Sequence, residues 1–364
     1  MEKLVIDPSF WKDRKVFITG HTGFKGSWLS LWLTQLGAKV TGFSLKPSTQ
    51  TSIDPILFED AKVAGVLQQS IYGDIRIADT FTKAIESSKP EIVIHMAAQP
   101  LVRESYIDPV GTYSTNVIGT VNLFEAIRIT PSIKAVLNIT TDKCYENKEW
   151  VWGYRESESL GGYDPYSSSK ACAELVSSAY RRSFFQQEGI ALATARSGNV
   201  IGGGDWAKDR IIPDAMRAFM NRTSFVVRNP AATRPWQHVL EPLSGYLILI
   251  QQLIQYPDVF AESWNFGPSE EDVHPVSSLA DILAESWGKQ ASWESDQKAH
   301  PHEARFLKLD CSKAKTQLNW KPIWKLERAI DETVKWYKAW HSEVEMHQYS
   351  LKQIEKYQQE YLSQ

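Results

Sequence analysis

The first half of the chain alternates short apolar runs with longer stretches of helical spacing. KVFIT (15–19), AKVTGFSL (38–45), EIVIHMAA (91–98), IKAVLNIT (133–140) and IALATARSGNV (190–200) each predict a buried strand. Between them, SWLSLWLTQL (27–36), GTYSTNVIGTVNLFEAIR (111–128) and YSSSKACAELVSSAYRRSFFQQ (166–187) carry the spacing of packed helices. Alternation of this kind predicts an α/β fold, a Rossmann-like doubly wound parallel sheet over residues 1–200. After about residue 200 the rhythm breaks. IGGGDW, NPAATRP and TRPWQH read as loops, while PLSGYLILIQQLIQ (242–255) is an apolar helix. That helix, within 237–268, is expected to pack back on the sheet. Residues 201–364 are expected to form a smaller, mixed α/β substrate region, and the polar tail from His341 a solvated terminal helix.

Composition narrows the function classes. A net charge of −3 with no Lys/Arg-rich block argues against nucleic acid and for a small-molecule partner. Three cysteines without C-x-x-C spacing suit a reducing compartment. The first fifteen residues carry acids and a proline where a signal peptide needs an apolar core, and no apolar run is long enough for a membrane span. A cytoplasmic protein is expected. HPHE (His300, His302, Glu303) is the only histidine cluster, and its proline makes it a poor ligand pair, so no metal is expected. The fourteen tryptophans are expected in the core or in pocket walls.

ITGHTGFKGSW puts Gly20, Gly23 and Gly26 between the first strand and the first helix. Glycines there permit a tight turn and let a pyrophosphate approach the backbone, with helix N–H groups to meet it. The second strand ends in FSLKPS, with Ser44 and no acid to hold an adenosine ribose, so these residues leave NAD against NADP open. In GDIR, Asp74 and Ile75 read either as an adenine clamp or as a turn after a strand.

Chemistry concentrates in two places. Tyr166 and Lys170 lie at i and i+4, on one helix face. A fixed ammonium and a nicotinamide cation would both favour a phenolate, which can take a hydroxyl proton as hydride leaves the same carbon. Thr141, Asp142 and Lys143 follow the IKAVLNIT strand and add an acid and an amine that a simple dehydrogenase does not need. Without further information, Asp142 and Lys143 could also be a local ion pair.

The glycine spacing, Thr141, Tyr166 and Lys170 resemble the extended short-chain dehydrogenase/reductase family. GHTGFKGSWL, HMAAQPLVR, TTDKCYEN, WVWGYRE, GGYDPYSSSK, GNVIGGGDWAKDR, RPWQHVLEPLSGY and HEARFLKLDCSKA resemble its nucleotide-sugar 4,6-dehydratases, those acting on CDP-glucose above all. The resemblance spans nearly the whole chain. It implies a lyase with NAD, which oxidises C4 of a hexose, eliminates water across C5–C6 and returns the hydride to C6. It extends the cofactor site to His21, Thr22, Phe24 and Lys25, to Ala97, Ala98 and Gln99, and to Asn116. It also implies deoxysugar synthesis for surface polysaccharide, and a homodimer or homotetramer formed through helices near 110–127 and 166–185.

Under that reading Thr141 would hold the C4 oxygen, Tyr166 would be its base, and Asp142 the acid for the C6 oxygen. Lys143 would be the C5 base or the stabiliser of the enolate. Asn199 is expected at the diphosphate or sugar, and Asp205, Trp206 and Arg210 at the nucleotide. Arg228 and Arg234 suit phosphate, with surface charge the alternative for either. Trp236 and Gln237 could stack on and hydrogen-bond a base. A nucleotide-sugar 4-epimerase shares Tyr166 and Lys170 but needs neither Asp142 nor Lys143. A dinucleotide-binding regulator without activity predicts a broken Tyr/Lys pair, whereas here the pair is intact.

Overall fold

The computed structural model describes residues 4–47, 56–296 and 306–363. His300, His302 and Glu303 lie outside them. Seven strands form one parallel sheet: β1 (Lys15–Thr19), β2 (Lys39–Ser44), β3 (Gln69–Tyr72), β4 (Ile92–His95), β5 (Ala135–Ile139), β6 (Ala191–Ser197) and the edge strand Ser263–Phe266. Their order is Ser263–Phe266, β6, β5, β4, β1, β2, β3, with every neighbouring pair parallel. The order reverses between β1 and β4, the crevice where doubly wound sheets take ligands.

Alternation along each strand explains the covering on both faces. Val16 and Ile18, Ile92 and Ile94, and Ala191 and Ala193 belong to one core. Phe17, Val93 and Leu192, the residues between them, belong to the other. Period two sends successive side chains to opposite faces, so a strand apolar at every position must be covered twice. The helix Leu240–Gln255 supplies part of that cover, buried from Leu240 through Leu253.

Several expectations change. The helix expected over 111–128 is interrupted by a π-turn at Ser114–Ile118, and the one over 166–187 ends in another at Arg181–Phe185. TRPWQH is a strand, Thr233–His238, the middle one of three, paired with Asn199–Ile201 and Val273–Pro275; its Pro235 is opposite Val273, and the register with Asn199–Ile201 begins one residue later, at Trp236. The edge strand Ser263–Phe266 was not foreseen, because SWNF is too short to show a period. The terminal helix Met346–Leu362 is not solvated. It buries Met346, Ile354, Tyr357 and Tyr361, and Tyr357 meets Trp32 and Trp324 edge-on. Tyrosines and isolated apolar residues make its buried stripe, which a reading by overall polarity overlooks. Among the described residues no helix is long and apolar enough to cross a membrane.

Candidate active site

β1 ends in Thr19, and the chain turns through Gly20 at φ +78° into the helix Phe24–Gln35. A side chain at Gly26 would put its Cβ 2.1 Å from the Gly20 carbonyl oxygen, so only glycine lets the helix start this close to the turn. The loop is tied down from outside. Thr22 Oγ1 and Ser44 Oγ lie 2.8 Å apart, and His21 Nε2 meets Ser70 Oγ at 2.8 Å. Burial pushes the His21 imidazole down to about 4, so it is neutral. The N–H of Ala97 reaches Thr19 Oγ1 at 3.1 Å, which closes the β1–β4 crevice. Gln99 N–H donates to Asn116 Oδ1 at 2.8 Å, and Asn116 Nδ2 donates to Gln99 O and to Ser169 Oγ. Ala98 lies between these anchors, half-buried. The π-turn thus aims Asn116 at the Tyr166 helix. A narrow glycine turn against the first N–H groups of a helix fits a dinucleotide diphosphate.

Both oxygens of Asp74 are held by Arg76, at distances down to 2.5 Å, so the carboxylate is already engaged. Ile75 is buried against Gly119, and its carbonyl accepts from Asn122. A cleft lined by Lys46, Phe58, Glu59, Lys62 and Tyr72 opens beyond the ends of β2 and β3. The Lys25 amine leaves the loop and donates to Ser197 Oγ (2.9 Å) and Tyr246 OH (3.2 Å), below the end of β6. Burial, helped by the charges of Lys170 and Arg210, pushes that amine down to about 7.

β5 delivers the catalytic candidates. Thr141 is extended and caps a single 3-10 turn, Asp142–Cys144. Its hydroxyl donates to Asp142 Oδ1 at 3.0 Å and accepts from the Lys143 N–H at 3.4 Å. Thr141 and Asp142 are buried, and Lys143 is half-buried. Asp164 caps the helix Pro165–Tyr180 through Ser167 N–H, which fixes where Tyr166 enters. Burial pushes the Tyr166 phenol up to about 12, while a hydrogen bond with Thr141 favours the phenolate. The positive charge that helps the phenolate comes from Arg210. The sequence expectation assigns that charge to the Lys170 ammonium together with a nicotinamide cation. Lys170 is buried and donates instead to the Ile139 carbonyl at 3.1 Å. Burial pushes its amine down to about 8, against the pull of Glu174.

Glu174 was missed. It lies one turn beyond Lys170 and forms a buried pair with Arg196 at 2.8 Å, while Thr140 and Thr194 donate to it. Its spacing of four from Lys170 was the available signal.

The substrate loops split. Asp205 pairs with Arg210 at 2.8 Å, and Asn199 is half-buried on its short strand. Arg228 is held by Asp209 at 2.6 Å, and Arg234 donates to the Thr233 carbonyl. Trp206, Trp236 and Gln237 are buried. Trp206 packs against Tyr337 and Trp340. Trp236 and Gln237 are only 3% and 1% exposed, and Gln237 donates to the Phe266 carbonyl. The strand Thr233–His238 puts them in the core, where a loop would have left them outside. Among the described residues no group of three His, Cys, Asp or Glu could hold a metal ion.

Comparison with known proteins agrees with this geometry. Residues 17–333 match the family described as GDP-mannose 4,6 dehydratase. The CDP-glucose 4,6-dehydratase of Salmonella typhimurium is 56% identical over 92% of this chain and 94% of its own length. The dTDP-glucose 4,6-dehydratase of Streptomyces venezuelae, solved with NAD, superposes with a TM-score of 0.74 over 90% of this chain and 98% of that one, at 21% identity. A UDP-glucose 4-epimerase of Thermotoga maritima gives 0.73 over 89% and 98%, also at 21%, so the fold alone does not separate the two chemistries. The chain belongs to the nucleotide-sugar 4,6-dehydratase family, within the extended short-chain dehydrogenases/reductases.

Proposed function

We propose that the protein converts CDP-D-glucose to CDP-4-keto-6-deoxy-D-glucose and water. The observation that carries this reading is the turn at the mouth of β5, where the buried Thr141 hydroxyl donates to the buried Asp142 carboxyl at 3.0 Å, with the buried Tyr166 on the helix that Lys170 ties to β5. An epimerase has no use for that carboxyl. The substrate follows from the 56% identical relative, which acts on CDP-glucose.

Bound NAD would supply a reversible hydride acceptor, so that the hydride lost at C4 could be regained at C6. The residues that would hold it are the loop from Gly20 to Gly26, with Thr22, Ser44, Ala97 to Gln99 and Asn116 around it. Tyr166, as phenolate, takes the O4 proton, and Thr141 steadies O4. The ketone acidifies the C5 proton, which Lys143 removes. Asp142 protonates O6, so that it leaves as water. Lys143 then returns a proton to C5. Arg210 keeps positive charge near the phenol, and Lys170 locks the Tyr166 helix to β5. With water excluded, these fixed groups act without solvent reorganising around them.

The test is incubation of the purified protein with CDP-, UDP- and dTDP-glucose separately, followed by NMR. A 4-keto-6-deoxy sugar from CDP-glucose is expected, and a C4 epimer without water loss would overturn the reading. Apolar residues exposed along the helices near 107–118 and at Leu175 support a homodimer through that face. Sedimentation of the native protein at twice the chain mass tests it, and a monomer would contradict it.

A further inference from the structure

The following rests on the nucleotide-sugar substrate proposed above and concerns what holds its diphosphate. β6, β5 and β4 are neighbours in that order, and β5 delivers the Thr141 turn. The chain leaving β4 passes Gln99 and enters the helix Val102–Ile107, which carries Arg103 and packs against the Tyr166 helix. The chain leaving β6 passes Asn199–Ile201 and enters the loop of Asp205, Asp209 and Arg210. Arg103 and Asp209 thus come from the two strands that flank β5, and they meet. Arg103 Nη1 donates to Asp209 Oδ1 at 3.3 Å. Arg228 Nη2 donates to the same oxygen at 2.6 Å. The ion pair bridges the two sides of the site, at the carboxyl ends of the strands where such sheets take their ligands.

We infer that Arg103 and Arg228 clasp the substrate's diphosphate, and that Asp209 competes with it for both. Charge is left over at this point. Asp214, 3.5 Å from Arg228, also pairs with Arg217 at 2.6 Å, so Arg103, Arg217 and Arg228 share the carboxylates of Asp209 and Asp214. Arg210 is already matched by Asp205. A diphosphate ester brings one negative charge on each phosphate and can offer oxygens to each guanidinium separately, where Asp209 offers both the same one. C1 lies across the hexose ring from C4, so a sugar with C4 at Tyr166 carries its diphosphate on the side away from the phenol. The exchange costs little. The side chains of Arg103 and Asp209 are 40% and 45% exposed, and an ion pair so open to water holds weakly. Asp209 sits at φ +62°, a conformation that Asp and Asn both visit readily, so Asn can replace it without strain.

The experiment is an NMR titration of the NAD-loaded protein with CDP and, separately, with cytidine, which has the base and ribose but no phosphate. Arg103→Met is expected to weaken CDP about tenfold and to leave cytidine unchanged. Asp209→Asn is expected to tighten CDP by up to about fivefold, again without effect on cytidine. That gain should shrink when Arg103→Met is added, because the two residues act on each other. CDP held no more tightly by Asp209→Asn than by the wild type would overturn the competition. Unchanged CDP affinity in Arg103→Met would remove Arg103 from the clasp. Equal weakening of CDP and cytidine would also overturn it, since the diphosphate would then not be what Arg103 reads. A wild type that binds no CDP would instead overturn the substrate reading, and the clasp with it.

Discussion

Lys170 donates its ammonium to the Ile139 carbonyl at 3.1 Å, and so pins the Tyr166 helix to the last residue of β5. The tyrosine and the Thr141–Asp142 turn therefore move as one unit. Lys170 acts here as a strut, and the phenol draws its positive field from Arg210.

Tyr166→Phe removes the base for O4 without leaving a large void. Turnover is expected to fall by about 10²–10⁴-fold, with no hydride leaving C4 and thermal stability near that of the wild type. Loss of water from the sugar at an undiminished rate would remove Tyr166 from the chemistry.

Asp142 and Lys143 should separate the two halves of the reaction. Asp142→Asn is expected to oxidise C4 but stall before water loss, with the reduced cofactor accumulating on mixing with substrate. Lys143→Ala is expected to slow deuterium entry at C5 from D2O more than it slows C4 oxidation. Equal slowing of both steps in Lys143→Ala would show that the lysine does not handle the C5 proton.

Lys25→Met should stabilise the folded chain at low pH. The amine titrates at about 7 when folded, and burial is the main cause; an unfolded lysine titrates near ~10.4. Between those values the unfolded chain holds more protons, so wild-type stability rises with pH there. The methionine variant's advantage is thus fully present below pH ~7 and fades towards ~10.4. The full shift corresponds to at most roughly 5 kcal/mol at pH ~6. Ser197 and Tyr246 still hydrogen-bond each other at 2.9 Å, so no polar group is orphaned. Urea midpoints at two pH values test this; an advantage that grows with pH would refute the burial argument.

Tyr357→Ala should cost about 3 kcal/mol. The side chain is fully buried, meets Trp32 and Trp324, and donates to Glu241 Oε2 at 2.6 Å. A change in urea midpoint no larger than that of an exposed substitution would mean that the terminal helix is not part of the core.

Much of the fold was legible because its strands are apolar at every position. KVFIT became β1 without change, and ALATARS became β6. SWNF was not legible, since four residues carry no period, and neither was the burial of Tyr357, which lies in a polar stretch. At the site, Tyr166 and Lys170 announced themselves by spacing, and Thr141 to Lys143 by adjacency. Their partnerships did not. That Lys170 bonds Ile139 and that Arg210 lies near Tyr166 depend on contacts 31 and 44 residues apart in sequence. Trp206, Trp236 and Gln237 look like base-binding residues by type, but buried aromatic and amide groups serve a core equally well.

The most direct measurement is conversion of CDP-glucose carrying deuterium at C4, in ordinary water, followed by NMR of the sugar. The account predicts that the deuterium reappears in the C6 methyl group, that C5 carries a solvent proton, and that no reduced cofactor is released. Deuterium still at C4 in an epimer, or lost to solvent, would contradict it.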